Sequence, residues 1–243
     1  LNTPVIQVGA FHLYGTITLT PNITWLAGGI YFHSIQPGNF LESFGHNMGM
    51  LSFEGIGSEW TLSDNLSCVF LTMNHGTFRS NNFNLNCTYL FCNGTDSASI
   101  YLGASVITAG QVDLSNASLF LDADSADFIM TANGYFEDAG HTFRNITFTS
   151  TSIPGYITAN SSTFNNITFN YRGSIAGSSD YHKIVFAHHA SIEDYNTIDS
   201  LEFNNPGKTV ILGGITTVND ELIANGTCSQ RITIQSSAAG MPA

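Results

Sequence analysis

Between Thr142 and Asn204 one short phrase is written four times, and no other feature of this 243-residue chain limits its fold as strongly. Phe143-Arg-Asn-Ile-Thr-Phe148, Phe164-Asn-Asn-Ile-Thr-Phe169, Tyr181-His-Lys-Ile-Val-Phe186 and Ile198-Asp-Ser-Leu-Glu-Phe203 carry apolar residues at the first, fourth and sixth places. The fourth-place residues Ile146, Ile167, Ile184 and Leu201 lie 21, 17 and 17 residues apart. That spacing is too short for a strand–helix–strand unit and right for one coil of a solenoid. The fourth and sixth places are two apart, so they share one face of a strand. Coils stacked in register therefore predict one inner column of Ile146, Ile167, Ile184 and Leu201 and a second of Phe148, Phe169, Phe186 and Phe203.

The rest of the chain continues the pattern at shorter intervals. Leu51-Ser-Phe53, Trp60-Thr-Leu62, Val69-Phe-Leu71, Phe83-Asn-Leu85 and Tyr89-Leu-Phe91 arrive too often for one strand per coil. Two or three short strands per coil fit instead. The segment from Ser34 to Gly49 loosens into Gln36-Pro-Gly-Asn39 and Phe44-Gly-His-Asn-Met-Gly49 and reads as a longer turn. The expected architecture is all-β: a right-handed parallel β-helix, or β-solenoid, with coils of roughly 17–21 residues and about 12 coils in all. No Pro-rich linker or charge block divides it, so residues 1–243 read as a single β-helical segment. Its opening, Leu1-Asn-Thr-Pro4, and its close, Arg231-Ile-Thr-Ile-Gln-Ser-Ser-Ala-Ala-Gly240, read as cut from a longer polypeptide. Adjacent domains of that polypeptide are then its first partners.

Only 10% of the chain is charged, well below the usual quarter. Gly, Asn, Ser and Thr take the place of Lys and Glu, which suits a fold made of tight corners and outward strand faces. Six basic residues against eighteen acidic ones give a net charge of −12, which repels nucleic acid and anionic membrane surfaces. No apolar run reaches the roughly 18 residues of a membrane span. Cys68, Cys87, Cys92 and Cys228 show no CxxC spacing and read as buried thiols, with Cys87–Cys92 the one pairing worth testing. No cofactor is expected.

Leu51-Ser-Phe-Glu-Gly-Ile-Gly-Ser-Glu-Trp-Thr-Leu62, then Asn74-His-Gly-Thr-Phe-Arg-Ser-Asn-Asn-Phe-Asn-Leu85, then Thr142-Phe-Arg-Asn-Ile-Thr-Phe148 and the closing Ile232-Thr-Ile-Gln-Ser-Ser-Ala-Ala-Gly240 follow one another in order. This succession resembles the long repetitive surface proteins of Bacteroidota. The resemblance covers about 190 residues and rests on the order of the motifs. It implies export by the type IX secretion route and display at the cell surface in large adhesins, some serving gliding motility. It carries over no catalytic residue. Asp96-Ser-Ala98, Asp124-Ser-Ala126 and Asp199-Ser-Leu201 resemble the O-glycosylation acceptor of the same phylum, at Ser97, Ser125 and Ser200. Nine Asn-x-Ser/Thr sequons are also present, and four of them fall in strand phrases, where strand composition accounts for them.

Parallel β-helices also host polysaccharide lyases and glycosidases, so the acidic and His clusters need weighing. Asp122, Asp124 and Asp127 could form a paired-carboxylate site or part of a Ca²⁺ site, with Asp122 and Asp124 on one strand face. The plainer account is a solvated turn after Leu119-Phe-Leu121. His188-His189 with Glu193-Asp194 offers a base and an orienting carboxylate, but neighbouring residues of a strand point to opposite faces. The six basic residues at 79, 144, 172, 183, 208 and 231 are scattered along the sequence and give little grip on a polyanion. Thr16-Ile-Thr18-Leu-Thr20 has the hydroxyl spacing of an ice-binding face, yet the rows do not persist from coil to coil. The expectation is a non-enzymatic adhesin or filament segment, outside the cell, with surface polysaccharide or another surface protein as its ligand. The alternative is a carbohydrate-active enzyme. An enzyme would gather three or more acidic or His side chains in one groove, whereas a shaft would present Asn, Ser and Thr there.

Overall fold

The computed structural model describes residues 5–237, so Leu1-Asn-Thr-Pro4 and residues 238–240 of the closing motif lie outside the described residues. The chain divides into two compact units, Leu1–Asp127 and Phe128–Ala243. Each is a parallel β-solenoid with two strands per coil, and together they count about 11 turns. Among the described residues no helix is long and apolar enough to cross a membrane.

In the N-terminal unit the first sheet stacks Phe11–Leu13, Ile30–Phe32, Met50–Phe53, Leu66–Met73, Leu85–Phe91 and Val106–Leu114. The second stacks Ile17–Thr18, Asn39–Glu42, Glu59–Leu62, Gly76–Arg79, Ala98–Tyr101 and Leu119–Asp122. Alternation decides which side chains enter the core. Leu51, Leu71, Leu90 and Val112 stand in register and are buried, as are Trp60, Phe78 and Ile100 facing them from the other sheet. The expected long turn from Ser34 to Gly49 contains a strand, Asn39–Glu42. Its core residue is Leu41, and Asn39 is held inside by donating to Ser34 Oγ and to the carbonyls of Gln36 and Glu59. A Pro-Gly corner before it and a Phe-Gly corner after it hid a strand of only four residues.

In the C-terminal unit, Thr142–Phe148, Thr163–Phe169, Asp180–Phe186, Tyr195–Phe203 and Ile215–Ala224 stack in parallel. The expected columns form residue for residue: Ile146 pairs with Ile167, Ile167 with Ile184 and Ile184 with Leu201. Phe148, Phe169, Phe186 and Phe203 are buried and stacked, with ring centroids 4.5, 4.9 and 5.8 Å apart. The first apolar place makes a third column of Phe143, Phe164 and Tyr181, stacked at 5.3 and 5.1 Å. Two strands of the facing sheet, Gly155–Ala159 and Gly173–Ala176, begin on glycine for a steric reason. A Cβ on Gly173 would lie 2.5 Å from both Phe169 and Phe186. Outward Asn residues also pair, Asn166 donating to Asn145 at 2.8 Å, which accounts for two of the sequons.

Asparagine at the corners ties each coil to the next. Asn65 Oδ1 accepts from Asn84 N, Asn82 Oδ1 from Ala104 N and Asn84 Oδ1 from Val106 N, each at 2.9 Å. Asn81 and Asn82 take left-handed φ values of 53° and 64°, a conformation Asn tolerates better than most residues. Cys68, Cys87 and Cys92 are buried thiols and Cys228 is exposed. The neighbour of Cys87 is Cys68 on the adjacent strand, in register, rather than Cys92. Its hydrogen bond to Cys87, then burial, raise the Cys68 pKa, while burial brings Cys92 to about 11.

Candidate functional site

The outer face of the second sheet in the N-terminal unit gathers side chains from successive coils. Register places Thr61, Arg79, Tyr101 and Asp122 in one outward column and Glu59, Thr77, Ser99 and Phe120 in the next. Each strand contributes one residue to each column because alternate positions of a strand face outward. Arg79 donates from Nε to Glu59 Oε1 at 2.7 Å, and that bond raises its pKa, so it is a fixed cation. Its guanidinium carbon lies 3.9 Å from the Tyr101 ring centroid. Tyr101 in turn meets Phe120 at 5.3 Å.

Thr61, Arg79 and Tyr101 form the floor of a cleft of about 230 Å³, closed at the corner by Asn81, Asn82 and Gly103 and at its edge by Asp122. A second cleft of about 360 Å³ opens over the start of the same strands, lined by Ile56, His75, Thr77, Asp96, Ser97 and Ser99 among others. There His75 Nε2 stands 3.6 Å from Asp96 Oδ2. The pair of clefts offers an aromatic face, a fixed guanidinium, amides, hydroxyls and separated carboxylates. Such a surface can hold the hydroxyl groups and the apolar ring face of a sugar.

The acidic residues named from sequence are not brought together. Asp122 ends its strand and lines the first cleft. Asp124 stands in the turn that follows, accepting from Ser125 Oγ, so the two do not share a strand face as expected. Asp127 starts the next strand. Among the described residues no three His, Cys, Asp or Glu side chains are grouped to hold a metal ion. Ser97 and Ser125 lie on exposed turns, whereas Ser200 is half-buried within a strand.

His188 and His189 lie in a bend, not on a strand, and their rings meet at 4.6 Å instead of pointing apart. The acids expected beside them are engaged elsewhere, Glu193 accepting from Ser191 Oγ and Asp194 from Gly177 N. One buried cluster escaped sequence reasoning. The Asp138 carboxylate is fully buried, accepting from His141 Nδ1 at 2.6 Å, from Ser162 Oγ at 2.6 Å and from His141 N at 2.9 Å. The signal was available in the alternation from buried Phe136, which turns Asp138 to the same inner face.

No family model, no curated protein and no solved structure matches this chain.

Proposed function

We propose that the chain is a non-enzymatic segment of a large exported cell-surface protein, an adhesin shaft or binding module that holds polysaccharide on its outer sheet face. The observation that carries this reading is the groove of Tyr101, Arg79, Asn81, Asn82 and Asp122. Its single carboxylate sits beside amides and a cation already paired with Glu59. Glycoside hydrolysis in most families uses two carboxylates flanking the scissile bond, roughly 5–9.5 Å apart. Type IX export, surface display and a part in gliding are proposed on the order of motifs that resembles the Bacteroidota adhesins. Adjacent domains of the same polypeptide and other surface proteins complete the proposed partners. Ser97 and Ser125, on exposed turns, are the better-placed candidates for O-glycosylation.

A second reading, a carbohydrate-active enzyme, is favoured by the His75–Asp96 pair beside the groove. The binding reading is tested by affinity electrophoresis through gels containing neutral bacterial and plant polysaccharides. At least one polymer is expected to retard the protein, and Tyr101→Ala should weaken that retardation about tenfold, as for a buried aromatic contact. Equal retardation of the wild type and Tyr101→Ala by every polymer, or none at all, would remove the groove from the account.

A further inference from the structure

Four successive corners of the C-terminal unit, residues 149–154, 170–172, 187–189 and 204–208, contain no aspartate or glutamate, although the chain has eighteen. They contain Arg172, His188, His189 and Lys208 instead. The strands that follow pair Gly173 with Ala190 and Ala190 with Val210. That register puts Arg172, His189 and Thr209 in one column and Tyr171, His188 and Lys208 in the next. Basic residues far apart in sequence are thus collected at one corner of a strongly acidic chain.

The hydrogen bonds assign the protons. Lys208 Nζ lies 3.2 Å from His188 Nε2, and an ammonium has only protons to give, so Nε2 accepts and the ring proton sits on Nδ1. That Nδ1 is buried without a hydrogen-bond partner. The backbone N–H of Thr209 donates to His189 Nδ1 at 2.9 Å, which leaves the His189 proton on Nε2. Burial, then the neighbouring Lys208, His189 and Arg172, lower the His188 pKa. The rings of Tyr171 and His188 meet at 4.7 Å, and the Arg172 guanidinium lies 5.7 Å from the Tyr171 centroid.

We infer that this corner binds a single acidic sugar, its carboxylate or sulfate ester held by Lys208, Arg172 and His189 Nε2–H with the pyranose face against Tyr171. Two cations and a neutral N–H donor match one anionic group. The net charge of −12 repels an extended polyanion but not an isolated anion on a neutral glycan. The site belongs to the C-terminal unit and stands independently of the groove on the other unit.

The test is an NMR titration of the full chain with methyl β-D-glucuronide and, separately, galactose 6-sulfate, against methyl β-D-glucoside and inorganic sulfate as controls. At least one acidic sugar should give saturable shifts of the His188 and His189 ring protons, and the arm that saturates identifies carboxylate or sulfate ester. Arg172→Gln and Lys208→Gln should each weaken binding about tenfold, and raised salt should weaken it further. Unchanged amide spectra away from the corner show that a variant is folded, and either variant alone suffices. The inference is overturned if neither acidic sugar saturates, if methyl glucoside or free sulfate binds as tightly, or if the folded variant and high salt leave the affinity unchanged.

Discussion

Phe169→Ala is expected to lower the stability of the C-terminal unit by roughly 3–5 kcal/mol, the range for truncating a core phenylalanine. Phe169 is fully buried between Phe148 and Phe186, with its ring centroid 4.5 and 4.9 Å from theirs. It also fills the space that Gly173 leaves open, so neighbours on the facing sheet have no side chain with which to close the cavity. Urea unfolding followed by circular dichroism gives the number. Phe40→Ala, on a half-exposed ring, is the control and should cost far less. A loss below about 1 kcal/mol for Phe169→Ala would contradict the register of the column.

Asp138→Ala is expected to cost about as much, roughly 3–5 kcal/mol, for a different reason. It removes the acceptor of three hydrogen bonds within a buried cluster, those from His141 Nδ1, His141 N and Ser162 Oγ. Without that acceptor the buried donors of His141 and Ser162 keep the full cost of desolvation, which is why one-sided removal is so unfavourable. Asp138→Asn keeps an oxygen acceptor and should fall between the two. The same urea titration measures both variants, and equal stability of wild type and Asp138→Ala would show the cluster to be dispensable.

The columns of Ile146 to Leu201 and Phe148 to Phe203 could be read from sequence because every coil repeats the same apolar places at near-constant spacing. A register error of one residue would have turned every one of those side chains to solvent. The strand Asn39–Glu42 was hidden because its one core residue, Leu41, sits between glycine-bearing corners, with too few positions to show a period. Asp138 stands next to Glu137 in a polar run, and only the alternation from buried Phe136 marks it as inward-facing.

The candidate site was less legible for a geometric reason. Thr61, Arg79, Tyr101 and Asp122 lie 18 to 22 residues apart and become neighbours only through the pairing of four strands. Outward residues obey no apolar rule, so nothing in one strand announces what its neighbour will place beside it. The basic corner is the sharper case. Arg172 and Lys208 read as scattered cations, and His188 and His189 as residues on opposite faces, until a bend put both rings on one side of the chain.

The central claim is that the outer face of the N-terminal unit holds polysaccharide without cutting it. It is tested most directly by incubating the protein with whichever polymer retards it and counting newly formed reducing or unsaturated chain ends over many hours. The account predicts retention of the polymer with its chain length unchanged. New chain ends that appear in proportion to protein, and disappear with Asp122→Asn or His75→Ala, would contradict it.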